Sequence, residues 1–187
     1  IPSTGDNPAA AVSLAVTNYA RLETSSVALD NSGTIEAGMA GGTALSISTF
    51  ARLTDTGVKS SAITVNNSGT IRANGGGIAY EASYFNPPYT VPASAISVGA
   101  YAGGTIDIAN ASGGVIEASG PLSTAIATYA GALDLTNAGT IRGGAGTTLA
   151  SDDYRALQNG TTYLAGAVQT IGDAADSVIN TGTIIGS

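Results

Sequence analysis

The sequence predicts an all-β chain wound as a parallel β-helix, with about five coils and three short strands per coil. Three observations predict it. The stretch "LDNSGTIEAG" (29–38) returns as "VNNSGTIRAN" (65–74), "IANASGGVIEAS" (108–119), "LTNAGTIRGG" (135–144) and "INTGTIIGS" (179–187), and self-similarity at intervals of this length marks a solenoid. Apolar residues alternate with polar ones on each side of the repeated turn, the period of a strand with one buried face. Gly accounts for 26 of 187 residues, about twice the usual share, and no stretch carries helical periodicity.

Each element of a coil has its own signature. The first is a segment rich in Ala, Ser and Ile that usually follows glycine: "AAAVSLAV" (9–16), "GGTALSIS" (41–48), "GGGIAYEAS" (75–83), "LSTAIATYA" (122–130) and "YRALQNG" (154–160). A variable loop follows it. The second strand leads to Asn31, Asn67, Asn110, Asn137 and Asn180, with Leu29, Val65, Ile108, Leu135 and Val178 two residues upstream. Four upstream stand Val27, Ile63, Ile106 and Leu133, with Asp176 as the exception. After each asparagine comes a glycine (Gly33, Gly69, Gly114, Gly139, Gly182), whose tolerance of positive φ lets the chain turn sharply. Two residues on, Ile35, Ile71, Ile116, Ile141 and Ile184 should point inward from the third strand. Coils of roughly 31 to 46 residues result, with the excess in the loop. Five would stack into a rod ~24 Å long, right-handed by the default for parallel crossovers, starting near residue 9 as a single unit over 1–187 after a capped or disordered "PSTGDNP" segment.

Two columns bear on what holds the coils in step. Asparagine tolerates turn conformations and bonds nearby backbone, and stacked amides form ladders; corner chemistry suffices to explain Asn31, Asn67, Asn110, Asn137 and Asn180. The residue after each inward isoleucine is Glu36, Arg72, Glu117 and Arg142, then Ile185. Coils stacked in register would alternate sign up one outer face and specify that register.

Composition narrows the function classes. Only six Lys plus Arg against thirteen Asp plus Glu give a net charge of −7, which excludes the basic footprint of a nucleic-acid binder and of a protein held at an anionic membrane. No apolar run reaches the ~18 residues of a membrane helix, and "IPSTGDNPAA" has neither the basic start nor the apolar stretch of a signal peptide. Absence of Cys and His removes disulfides, cysteine nucleophiles, Ser-His-Asp triads and zinc sites. No phosphate-binding glycine loop appears. Neither a D-x-D-x-D-G loop nor a calcium-binding nonapeptide array is present, so no metal and no cofactor is expected, with calcium at the acidic loop 147–163 as the alternative. Paired carboxylates, Asp152 with Asp153 or Asp173 with Asp176, remain the means by which such a fold would cleave a polysaccharide; adjacent strand residues point opposite ways, which makes the first a poor pair. Thr34, Thr70, Thr140 and Thr183 recur before the isoleucines, as in ice-binding solenoids, but the neighbouring Glu and Arg column argues against a flat uncharged face.

Function in a solenoid sits in its loops or along its faces. Insertions are expected near 49–61, 83–94 and 147–163. The second carries Tyr84, Phe85, Tyr89 and three prolines close to Tyr80. Stiffened aromatic loops of this kind suit binding, so Tyr80, Tyr84, Phe85 and Tyr89 are the candidate contact residues.

The five N-[SAT]-G-T-I-like motifs, the lack of cysteine and the acidic Ala/Gly/Ser/Thr/Asn-rich composition resemble passenger domains of bacterial autotransporters (type V secretion). They are also similar to filamentous adhesins secreted by a separate partner. The resemblance implies a right-handed parallel β-helix exported to the bacterial cell surface, either anchored in the outer membrane through a C-terminal β-barrel of the parent chain or secreted. It implies a non-catalytic adhesin engaging another cell surface, a host glycan or protein, or a copy of itself, in aggregation, biofilm or virulence. The alternatives are a β-helix carbohydrate-active enzyme or glycan depolymerase, and a passive stalk. No barrel strands follow "IIGS", and no triad or esterase motif is present, so no catalytic residue carries over.

Overall fold

A computed structural model describes residues 10–18, 26–51, 61–80, 89–100, 104–144, 166–171 and 174–186. Every regular element among them is a strand. In chain order these are β1 (Ala10–Asn18), β2 (Ser26–Asn31), β3 (Thr34–Ala37), β4 (Thr43–Ala51), β5 (Ala62–Asn67), β6 (Thr70–Ala73), β7 (Ile78–Tyr80), β8 (Tyr89–Val91), β9 (Ala93–Ala100), β10 (Thr105–Asn110), β11 (Val115–Ala118), β12 (Ser123–Thr128), β13 (Ala132–Asn137), β14 (Thr140–Arg142), β15 (Gly166–Thr170), β16 (Ser177–Asn180) and β17 (Thr183–Ile185).

Fifteen of these form three five-stranded parallel sheets, ordered β1-β4-β9-β12-β15, β2-β5-β10-β13-β16 and β3-β6-β11-β14-β17. Each sheet takes one strand from every coil, so the chain is a parallel β-helix of five coils with three strands per coil. Like positions of the repeat lie on like positions. Leu29, Val65, Ile108, Leu135 and Val178 pair in one continuous row, as do Ile35, Ile71, Ile116, Ile141 and Ile184. A one-residue slip would turn each row outward, so the apolar pattern itself fixes the register. In the middle coils these rows are fully buried and merge with Leu45, Ile96 and Ile126 of the first sheet into one core.

Three sequence expectations need correction. The first-sheet strand of the third coil is β9, not the segment 75–83. The latter contributes β7, which pairs antiparallel with β8 as the stem of an insertion. The alternation in "GIAYEAS" and in "ASAISVGA" is equivalent, and β9 follows Pro92 rather than the glycine used as a marker. In the fifth coil the strand is β15; "YRALQNG" lies outside the described residues. Insertions therefore also enter between the third strand of one coil and the first of the next. Corresponding asparagines are 36, 43, 27 and 43 residues apart, so the shortest coil is tighter than expected.

The corner glycines also have a different reason from the expected one. None of Gly33, Gly69, Gly114, Gly139 and Gly182 has positive φ; that conformation falls on Gly113 (φ 88°), which absorbs the longer "ASGG" corner of the third coil. What the column requires is space. A Cβ on Gly69 would lie 2.1 Å from Gly33 O, on Gly139 2.3 Å from Gly114 O, and on Gly182 2.2 Å from Gly139 O. Adjacent coils are too close at this corner for any side chain.

Two buried atoms among the described residues, Thr49 Oγ1 and Arg72 Nε, break the rule that interior polar atoms are paired. Thr49 is fully buried and its Oγ1 has no hydrogen-bond partner among the described residues. Thr49→Val keeps the shape and removes the orphan hydroxyl. It should raise the unfolding free energy by about 1 kcal/mol, measurable as a higher urea midpoint at unchanged slope.

Candidate functional site

The asparagines are interior residues. Asn67, Asn110 and Asn137 are essentially inaccessible to solvent and Asn31 nearly so, while Asn180 is exposed. Their position two residues after an inward apolar residue places them on the inner face. The amides form a continuous chain, each Nδ2 donating to the Oδ1 of the next coil: Asn31 to Asn67 at 2.8 Å, Asn67 to Asn110 at 2.8 Å, Asn110 to Asn137 at 2.8 Å and Asn137 to Asn180 at 2.7 Å. Each of these four Nδ2 groups also lies against two main-chain carbonyls, for Asn110 those of Gly114 (3.2 Å) and Thr140 (3.3 Å). The buried amides are thereby satisfied, and this spine is committed to structure.

The charged column is in register along the third sheet, Glu36 beside Arg72, Glu117 between Arg72 and Arg142, and Ile185 beyond. Glu117 is the shared anion: its Oε2 lies 3.3 Å from Arg72 Nε and its Oε1 3.7 Å from Arg142 Nη1. Arg72 Nε is buried yet lacks hydrogen-bond alignment to any partner, so its attraction to Glu117 is Coulombic. Glu36 does not reach Arg72; it accepts a hydrogen bond from Asn74 Nδ2. The pairs are partly exposed and contribute little energy. They fit the register that the apolar rows set.

Two features along the second sheet escaped the sequence reading. Asp107 and Asp134 are exposed neighbours in register, two carboxylates one strand spacing apart, ~4.8 Å. Like charges in this position repel. Asp134→Thr should stabilise the rod by about 0.5 kcal/mol at low salt, with the gain shrinking as ionic strength rises; thermal melts in low and high salt measure both. Asp176, in the next coil, accepts the Leu133 amide at 2.9 Å. Among the described residues no three acidic side chains converge to hold a metal ion.

The second feature is a shallow groove of about 360 Å³ along the asparagine corner, lined by Asp30, Ser32, Asn66, Ser68 and Thr136 among others, and spanning four coils. Its outer column is the residue before each asparagine: Asp30, Asn66, Ala109 and Thr136, in register. Asn66 Nδ2 donates to Asp30 Oδ1 at 2.8 Å. The signal was in the alignment, one position upstream of the asparagine, but its variable chemistry gave it no prominence.

Of the aromatic candidates, Tyr80 and Tyr89 are backbone partners in the antiparallel β7–β8 stem. Tyr84 and Phe85 lie outside the described residues, as do the rest of 81–88, most of 49–61, all of 147–163, Asp152, Asp153, Asp173 and the N-terminal "PSTGDNP" segment. The threonine column holds Thr34, Thr70, Val115, Thr140 and Thr183 in register beside the charged one. No helix among the described residues is long and apolar enough to cross a membrane. No family model, no curated protein and no solved structure matches this chain.

Proposed function

We propose that this chain is a surface-exposed, non-catalytic adhesin of the autotransporter-passenger type, binding an extended partner along its side. The observation that carries the reading is the corner groove. It presents the carboxylate of Asp30 and the amide and hydroxyl of Asn66 and Ser68 on two adjacent coils, ~4.8 Å apart, and the hydroxyl of Thr136 two coils further on, past Ala109. A row of short polar side chains along a rigid rod suits a linear glycan, a host protein or the flank of a second rod. The β7–β8 stem, which brackets residues 81–88, offers an aromatic contact near the same rod.

The test is adhesion by beads or cells carrying the chain, with wild type against Asn66→Ala/Thr136→Ala and against deletion of residues 84–88. Loss of host-surface binding or clumping in either variant, with an unchanged β-sheet circular dichroism spectrum, supports the reading. Full adhesion in both removes these contacts. Release of reducing ends from a polysaccharide by the wild-type chain would replace the adhesin with a glycan depolymerase. No binding by wild type in any format would leave a passive stalk.

A further inference from the structure

Asn74 is followed by Gly75, and no other Asn-Gly pair occurs among the described residues; the chain's second such pair, 159–160, lies outside them. Asn74 stands exposed just past β6, at a place held by Gly38 and Ser119 in the coils on either side. An asparagine before glycine is the dipeptide in which the main chain attacks the side chain most readily, because glycine has no Cβ to obstruct its nitrogen. That nitrogen is available here. Gly75 N donates to no group among the described residues, whereas Asn74 N donates to Ala37 O (2.9 Å) and Gly76 N to Ser119 O (3.1 Å).

The side chain, in contrast, is held. Asn74 Nδ2 donates to a carboxylate oxygen of Glu36. A bond to a carboxylate is among the stronger ones open to an amide, and it grips the atom that a deamidation must expel. Ser119 Oγ lies 3.5 Å from both Asn74 Oδ1 and Ala73 O, a weaker hold.

From this arrangement we infer that Asn74 is a deamidation site of the folded chain and that Glu36 is the brake on it. Gly75 N gives up its proton and bonds to Asn74 Cγ. The Cγ–Nδ2 bond breaks, and Nδ2 leaves as ammonia with the displaced proton as its third hydrogen. Water then opens the five-membered imide at either carbonyl, leaving aspartate or isoaspartate. Both products disturb the contact between the first two coils. Aspartate replaces a donor with an acceptor-only anion beside Glu36, and like charges on neighbouring coils repel. Isoaspartate lengthens the main chain by one atom where even a Cβ on Gly75 would lie 2.1 Å from Met39 O. The Asn74–Ala37 and Gly41–Gly76 main-chain bonds that join the coils here are the ones exposed to that change.

The experiment is a time course of the folded chain in mildly alkaline buffer, read by peptide mapping and mass spectrometry on the peptide that carries Asn74, so that 159–160 does not contribute. Wild type should gain acid at Asn74 slowly. Glu36→Ala should convert about fivefold faster, the factor for one lost hydrogen bond, while Glu36→Gln keeps an acceptor in place and should recover most of the wild-type rate. In urea, where the contact is gone, wild type and Glu36→Ala should convert at one common rate. Converted chain, separated by anion exchange, should melt about 2–4 °C lower. No conversion of folded wild type or folded Glu36→Ala, over a time in which the urea-unfolded chain converts fully, overturns the site. An equal or slower rate in folded Glu36→Ala overturns the brake, as does a difference that persists in urea. An unchanged melt overturns the effect on the coil contact. Unchanged circular dichroism of Glu36→Ala shows that its rate reports the lost bond, and none of these readouts involves adhesion.

Discussion

Replacing Asn110 with alanine should lower the unfolding free energy by about 4 kcal/mol, one of the largest effects available to a single side chain here. Asn110 accepts from Asn67 and donates to Asn137 in the fully buried middle of the ladder. Its removal leaves an N–H of Asn67 without its amide acceptor and Asn137 Oδ1 without its amide donor. The substitution removes four hydrogen bonds from the buried interior, each worth about 1 kcal/mol, and the cavity adds to this. Asn110→Asp keeps the shape but puts an anion beside the Gly114 and Thr140 carbonyls and should be no better. Asn180→Ala removes an exposed link at the end of the same chain and should cost about 1 kcal/mol. Urea denaturation of the variants measures the contrast; equal losses at positions 110 and 180 would show that the ladder does not act through burial.

Gly139→Ala should be comparably damaging, by about 3 kcal/mol or more. The added methyl would sit 2.3 Å from Gly114 O and 2.5 Å from Ala111 O, both main-chain atoms that cannot rotate away. Relief requires separating two coils along all three sheets, which lengthens hydrogen bonds well beyond the corner. Gly33→Ala makes the same chemical change in open space and should be close to neutral. Neither glycine has positive φ, so backbone strain does not enter the comparison. A matched pair of thermal melts decides it, and a neutral Gly139→Ala would show that the coils are less tightly spaced than described.

How much of this was legible in the sequence follows from what each residue depends on. The apolar rows were readable because period-two alternation is local, and the repeat aligned Ile35 with Ile71 without knowledge of distance. The alternation of Glu36, Arg72, Glu117 and Arg142 was readable for the same reason, though not that Glu36 turns to Asn74 instead of Arg72. Positions within the insertions were not readable. Strand β9 has no turn signal of its own beyond Pro92, and a competing alternation at 78–80 precedes it. Closeness between coils was hidden as well. Glycine at a corner suggests an unusual φ, and only the stacked carbonyls reveal that the need is for space. The groove and the Asp107–Asp134 pair are likewise products of register, composed of residues that are ordinary one coil at a time.

The unequal coil lengths have a mechanical consequence. Bonds between coils run parallel to the rod axis, whereas the strands lie across it, so tension applied to the two ends loads one coil boundary at a time. The outermost coil should peel off before its neighbour yields. Each rupture would release between 27 and 43 residues, or roughly 90 to 150 Å of slack at ~3.3–3.6 Å per residue. Under shear a rod of this kind would give way stepwise while its remaining coils hold.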